Sequence, residues 1–138
     1  MNENRVSSWA SIPALAAVLL ALQHATVCAA PNWETVTKSD QGVFAIDASS
    51  ITREGAVRKF TTMLDYRQTQ TTAEGKAYLS TLSQVQLDCA QRVARIVNLS
   101  YLSGKAGSGS LVYRETIIRD WMPIVPTSPI EQLAKKVC

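Results

Sequence analysis

The amino-acid sequence predicts a mainly β fold of the α+β class, a six-stranded antiparallel sheet with one short C-terminal helix packed on a face of it. β-Branched and aromatic residues alternate with polar residues through most of residues 33–119, which is typical of half-buried strands. Glycine-containing turns separate these stretches at hairpin-like spacing. Residues 128–138 instead repeat apolar side chains with the period of a helix.

We predict strands that follow one another through short turns and therefore form a meander: residues 33–38, 43–47, 57–68, 76–88, 91–102 and 110–119. In the fourth strand, Val85 and Leu87 fall on one face and Gln84 and Gln86 on the other. Only one face of the sheet is therefore convincingly apolar, and that face requires a cover.

The C-terminal residues are expected to supply this cover. Ser128 and Glu131 have the spacing of a capping box, and Pro129 lies where the first helical residue tolerates proline. We predict a helix over residues 129–137 whose last turn carries two lysines, favoured there by the helix dipole. Its apolar side chains share one face: Ile130, Leu133, Ala134 and Val137.

Residues 1–29 have the pattern of a secretory signal peptide. An apolar run over residues 9–22 is too short to span a bilayer of about 30 Å hydrocarbon thickness. Small residues follow it, and we expect cleavage after Ala29. The mature domain would then comprise residues 30–138, with no transmembrane segment.

Two other interpretations of the leader are open. Cys28 could be a lipidated N-terminal residue, although the residues before it form a poor lipobox. The leader could also stay attached as a membrane anchor.

Removal of the leader leaves Cys89 and Cys138 as an even pair in a small exported domain. We expect a disulfide between them, closing a loop of about 50 residues. The alternative is a pair of free thiols with a catalytic or metal-binding role, but the chain has no CxxC motif and no nearby histidine.

The sequence offers little catalytic chemistry. His24 is the only histidine and lies in the predicted leader, so the mature chain has no imidazole for a triad or a typical zinc site. Residues 104–109 are rich in glycine but lack the ending of a phosphate-binding loop, and they predict a flexible hairpin turn. We therefore predict no enzyme activity, no cofactor and no metal site.

The net charge is +3, from 14 Lys and Arg against 11 Asp and Glu, and this mild excess argues against a nucleic-acid partner. Arginines are nevertheless candidates for binding a heparin-like glycan or an acidic protein segment: Arg92, Arg95, Arg114 and Arg119. Aromatic residues could line the same surface: Tyr66, Tyr78, Tyr101, Tyr113 and Trp121. The plainer interpretation is that these are solvated charges and core or rim aromatics.

A set of residues along the whole mature chain resembles the surface-adhesin protein E family. Its most specific part is an Asp-Cys pair in mid-chain, a glycine-rich turn, then Trp, Pro, a short helix and a terminal Cys. The residues in this order are Trp33, Phe44 to Asp47, Ile51, Leu64 to Tyr66, Tyr78 to Ser80, Asp88, Cys89, residues 101–109, Trp121, Pro123, Pro126 to Ser128 and Cys138.

The resemblance implies a six-stranded antiparallel sheet with a C-terminal helix tethered by a disulfide to its concave face. It also implies a protein exported by a Gram-negative bacterium and often dimeric, and the naming member of the family binds host extracellular-matrix proteins. We therefore expect a non-catalytic, adhesin-like module, a homodimer in the periplasm or at the cell surface. Its partner would be an extracellular-matrix-type protein or an anionic glycan. The alternative, favoured by the poor lipobox, is a periplasmic structural or interaction protein.

Overall fold

The computed structural model describes residues 29–116 and 118–138, so Cys28 and the predicted leader before it lie outside the described residues. The described chain forms one antiparallel sheet and a C-terminal helix, with a single 3-10 turn at Ala48–Ser50. The strands are β1 (Trp33–Lys38), β2 (Gly42–Asp47), β3 (Thr52–Glu54), β4 (Val57–Thr71), β5 (Ala77–Asp88), β6 (Val93–Leu102), β7 (Leu111–Glu115) and β8 (Met122–Pro123), and the helix is α1 (Pro129–Val137).

The six longer strands lie in the order β1-β2-β4-β5-β6-β7, each antiparallel to its neighbours. This confirms the predicted antiparallel meander. Two short strands were not predicted: β3 pairs with the start of β4, and β8 pairs with the start of β6. With three and two residues, they are too short for an alternating pattern to reveal them.

The last predicted strand, residues 110–119, is wrong beyond Glu115. Among the described residues between Glu115 and β8, the Arg119 N–H donates to the Ile96 carbonyl of β6 at 2.9 Å, and none belongs to a strand. The irregular part lies against a bulge in β6, where Ile96 and Asn98 face consecutive residues of β5 and Val97 is extra. Such a bulge interrupts the hydrogen-bond ladder between neighbouring strands. Because the bulge lies in β6, the alternation of side chains within residues 110–119 does not reveal it.

Helix α1 begins and ends where the sequence predicts. Ser128 is the N-cap, and its Oγ accepts from the Glu131 N–H at 3.2 Å. The Glu131 carboxylate accepts from the Thr127 N–H at 2.8 Å, one residue earlier than in a standard capping box. This bond lowers the pKa of Glu131, which keeps the carboxylate charged at the positive end of the helix dipole.

The helix packs on one face of the sheet and forms the hydrophobic core with it. The buried members of this core are Ile46, Phe60, Val85, Leu87, Leu133, Ala134 and Val137. Complete burial of a leucine side chain contributes about 1.5–3 kcal/mol, so Leu133 and Leu87 are among the main contributors. We call this side of the sheet the helix face and the opposite side the open face.

A disulfide joins the end of the helix to the sheet. Cys138, directly after α1, is bonded to Cys89, directly after β5, with the two Cα atoms 5.7 Å apart. The bond predicted from the cysteine count is therefore present in the structure.

A buried arginine forms a second link to the same end of the helix. The Arg58 side chain leaves β4 toward the helix face, and the residue is only 7% exposed. Its Nε donates to the Val137 carbonyl at 3.2 Å, and its Nη1 donates to the carbonyls of Gly55 at 3.0 Å and Val57 at 3.3 Å. The guanidinium thus satisfies a terminal helix carbonyl that the helix itself cannot.

Removing the disulfide should strongly destabilise the domain. We expect the double variant Cys89→Ser/Cys138→Ser to lose about 4 kcal/mol of unfolding free energy, because the bond closes a loop with a sequence separation of 49 residues. Denaturant unfolding of the variant and the oxidised wild-type protein measures this. An unchanged midpoint and slope would contradict it.

Replacing the buried arginine should also be costly, even when the charge is kept. In Arg58→Lys a single ammonium replaces the planar fork and does not reproduce its three hydrogen bonds, of which the one to the Val137 carbonyl is buried, so we expect a loss of about 1–3 kcal/mol. The matched control is Lys59→Arg, at the neighbouring and more exposed position, which should stay within about 0.5 kcal/mol. Equal effects at both positions would refute the proposed role of Arg58.

Candidate binding surface

The helix covers only part of the helix face, and tyrosines lie across the rest. Tyr66, Tyr78, Tyr101 and Tyr113, all the tyrosines of the chain, come from four successive strands of the meander, β4 to β7. Their ring centroids are 5.6, 5.0 and 5.7 Å apart in that order, and the first two pairs are edge-to-face. Contacts of this kind stabilise by about 0.5–1.5 kcal/mol each. We call this set the tyrosine row.

A carboxylate links the tyrosine row to an arginine. The Tyr101 hydroxyl donates to Glu115 Oε1 at 3.1 Å, and Arg119 Nη2 donates to Glu115 Oε2 at 2.9 Å. Burial, together with the bond to Glu115, raises the pKa of Tyr101 to about 12. Arg119, one of the predicted ligand-binding residues, is therefore already paired with an acid.

An apolar groove lies on the helix face between β6, the segment before α1 and the start of the helix. It encloses about 410 Å³. Its apolar lining includes Phe44, Val85, Ile96, Met122, Val125 and Ile130, and Arg119 and Asp120 also border it. We call it the apolar groove.

The most exposed large apolar side chains of the described residues all lie within residues 111–125: Leu111, Tyr113, Ile118, Trp121, Met122 and Val125. Met122 and Val125 border the apolar groove and are 66% and 64% exposed. Tyr113 ends the tyrosine row and is 44% exposed. Grouped apolar exposure of this kind marks interaction surfaces in soluble proteins.

The structure does not bring the four predicted arginines together. Arg92 lies in the turn between β5 and β6, with its Nη2 3.7 Å from Glu131 Oε1, beside the helix. Arg119 pairs with Glu115 next to the tyrosine row. Both of these arginines therefore have carboxylate partners on the helix side of the molecule.

The other two arginines turn toward the open face. Arg95 Nε donates to Gln86 Oε1 at 2.9 Å, and its guanidinium lies 4.4 Å from the centre of the Trp121 ring. Arg114 Nε donates to Ser100 Oγ at 3.3 Å. Arg95 also borders the apolar groove, as do its neighbours in β6, Ala94 and Ile96.

The glycine-rich residues 104–109 connect β6 to β7, which confirms the predicted hairpin turn, but the turn is held against the open face. The Ala106 N–H donates to Asp65 Oδ1 at 2.9 Å, and Ser80 Oγ donates to the Gly104 carbonyl at 2.7 Å. Gly107 has a φ of 74°, and a Cβ there would lie 3.2 Å from Leu82. The turn therefore needs glycine in order to approach the sheet this closely.

The described residues contain no group of three or more His, Cys, Asp or Glu side chains placed to hold a metal ion. Within residues 29–116 and 118–138, no helix is long and apolar enough to cross a membrane. The arrangement on the helix face can bind through aromatic, apolar and hydroxyl groups.

Alkaline titration should single out Tyr101. Its pKa in the folded chain is about 12, against 10.0 for a free tyrosine, so the folded protein binds more protons than the unfolded chain between these pH values. The stability that neutral Tyr101 contributes should therefore be complete below pH 10.0 and lost as the pH rises toward 12. In an ultraviolet absorbance titration, the tyrosine that ionises at the highest pH should be Tyr101, and Tyr101→Phe should remove this final step. Ionisation of all tyrosines near pH 10 would contradict the geometry.

Solved structures with the same fold come from Haemophilus influenzae. Protein E of this organism superimposes with a TM-score of 0.62 at 16% sequence identity, over 80% of this chain and 90% of that chain. A second crystal form gives 0.61 at 13% identity, covering 80% and 96% of the two chains. Protein E from a non-typeable strain gives 0.56 at 16% identity, covering 78% and 79%. At these identities the likeness establishes the fold.

A search of curated protein sequences finds no match to this chain. A comparison with protein families, in contrast, matches the surface-adhesin protein E family over residues 33–138, from the first residue of β1 to the disulfide-bonded Cys138. The match includes every strand, the helix and the disulfide of the described fold. The chain belongs to the surface-adhesin protein E family.

Proposed function

We propose that this chain is an exported, non-catalytic binding module that contacts a host or matrix protein through the helix face. Family membership supports the coarser part of this statement, an adhesin-like surface protein of a Gram-negative bacterium. The observation that carries the choice of surface is the exposure of Tyr113, at the end of the tyrosine row, and of Met122 and Val125, at the border of the apolar groove.

Export is supported by the signal-peptide pattern of residues 1–29 and by the Cys89–Cys138 bond. Structural disulfides form in oxidising compartments and are rare in the cytosol. We propose cleavage after Ala29, which would make residues 30–138 the working domain.

A protein partner fits the chemistry of the helix face better than a polyanion does. Tyrosines and exposed apolar side chains are the groups that contribute most in the centres of protein interfaces. Arg119, which shares the Glu115 carboxylate with Tyr101 of the tyrosine row, is neutralised by that carboxylate at 2.9 Å. A partner with an apolar side chain for the groove and polar groups for the tyrosine hydroxyls would use both parts of this surface.

The second candidate function is a periplasmic structural or interaction protein that associates through the same region, including with a second copy of itself. The observation that favours it is the edge position of β7, which ends the strand order of the described sheet and carries Leu111 and Tyr113 exposed. An edge strand presents unpaired backbone groups to a partner strand. The two candidates differ in where the protein resides and in what it binds.

Substitutions on the helix face should weaken binding to matrix proteins. We expect Tyr113→Ser/Met122→Ser to bind about tenfold or more weakly to any member of a panel of immobilised extracellular-matrix proteins that the wild-type chain binds, because it removes two exposed anchors. Leu111→Ser is the matched control. Leu111 is similarly exposed and lies in β7, but it stands opposite Leu102, toward the open face. Equal losses in both proteins would contradict the proposed surface.

Protease treatment of intact cells that produce the protein distinguishes the two candidates. Digestion from outside, together with matrix-protein binding, is expected for an adhesin. Protection until the outer membrane is permeabilised, together with no binding to the panel, would overturn the proposal in favour of the periplasmic candidate.

A further inference from the structure

We infer that the open face is a second binding site, for an acidic oligosaccharide such as a sulfated glycan. This inference goes beyond the proposed function, which uses the other face of the sheet. It rests on how the strand register groups polar and cationic side chains from β4 to β7.

The polar side chains of the open face stand in transverse rows. In the first row, Lys59, Gln86 and Arg95 are direct cross-strand partners. The second row is formed by Thr61, Gln84 and Asn98, and in the third Ser100 stands opposite Arg114. The third row continues into Leu82, the partner of Ser100 on β5, and then Met63, so the polar surface ends there, beside the glycine-rich turn.

Two adjoining depressions lie along these rows. One encloses about 260 Å³ and includes Lys59 and Gln86, and the other encloses about 320 Å³ and includes Asn98 and Arg114. Both are lined by Thr61 and Gln84, so they form one shallow channel across the strands. We call it the polar channel.

The side chains of the polar channel match the groups of a sugar. The amides of Gln84, Gln86 and Asn98 each carry donors and an acceptor, and the hydroxyls of Thr61 and Ser100 do both. Sugar hydroxyls also donate and accept. Phe60 is the aromatic residue among those that line the described channel, and it is buried, so the channel offers no exposed aromatic face on which nucleic-acid bases could stack.

Two arginines are arranged to bind acidic groups: Arg114 lines the channel, and Arg95 lies at its edge, bonded to the channel residue Gln86. Arg95 and Arg114 are each held through Nε by a neutral side chain, at 2.9 and 3.3 Å. Such bonds orient the guanidinium and direct its terminal nitrogens, which bind a carboxylate or sulfate in a bidentate manner. Lys59 pairs with Glu54 at 2.6 Å, but both side chains are exposed, and a surface ion pair of this kind is weak.

The spacing of the cations selects an oligomeric ligand. Arg95 and Ser100, the partner of Arg114, are five residues apart on β6, which corresponds to about 15 Å along the strand. Lys59 and Arg95 are two strands apart, which corresponds to about 10 Å. One small anion cannot bridge these distances, whereas an extended chain with several acidic groups can.

Binding of a size-defined heparin oligosaccharide, measured by calorimetry at physiological salt, tests this inference. We expect Arg95→Gln/Arg114→Gln to bind roughly tenfold or more weakly, since it removes two of the three cations in and beside the channel. The matched control is Arg92→Gln/Arg119→Gln, which removes the same net charge from arginines already paired with Glu131 and Glu115. It should change the affinity less than about threefold.

The neutral variant Gln84→Ala separates a site from simple charge attraction. Gln84 lines both depressions, and its loss should weaken binding several-fold without changing the net charge. Equal losses in the two arginine pairs, an unchanged affinity of Gln84→Ala, or no heparin binding by the folded wild-type chain would each overturn the inference. Binding to matrix proteins should be unaffected by Gln84→Ala, because Gln84 does not border the apolar groove, so failure here is distinguishable from failure of the proposed function.

Discussion

The docking of α1 on one face of the sheet is the constraint on which the rest of this structure depends. A helix of nine residues is marginal in water and gains its stability from tertiary contacts. The sheet in turn has an apolar face that cannot stay exposed. Leu133 and Val137 fill that face, and the Cys89–Cys138 bond and the Arg58 guanidinium fix the C-terminal end of the helix.

This docking also determines which surfaces are left for binding. The helix covers the part of its face that contains Phe60 and Val85 and leaves the tyrosine row and the apolar groove beside it. Side chains alternate between the two faces along a strand. In β5, burial of Val85 and Leu87 on the helix face therefore places Gln84 and Gln86 on the open face. The two proposed sites, one apolar and aromatic and one polar and cationic, are therefore two consequences of one alternating pattern.

Much of the fold could be predicted from the sequence, because helix caps and side-chain alternation each depend on residues within a single helix or strand. Ser128, Pro129 and Glu131 mark the start of the helix, and alternation around Val85 marks a central strand. The candidate sites could not be predicted in this way. Cross-strand register and the bulge in β6 place Tyr66 and Tyr113 in the same tyrosine row. The same two features place Arg92 and Arg114 on different sides of the sheet. Register depends on pairing between distant segments and is not readable from one segment alone.

Amide hydrogen exchange of the oxidised protein tests most directly whether the helix is an integral part of the folded core. The amide of Cys138, which donates to the Ala134 carbonyl at 3.0 Å, should exchange as slowly as amides in the middle of β4 and β5. Selective reduction of the disulfide should release the helix amides while the central strands remain protected. Fast exchange throughout α1 with the disulfide intact would contradict the view that this helix completes the core and divides the surface.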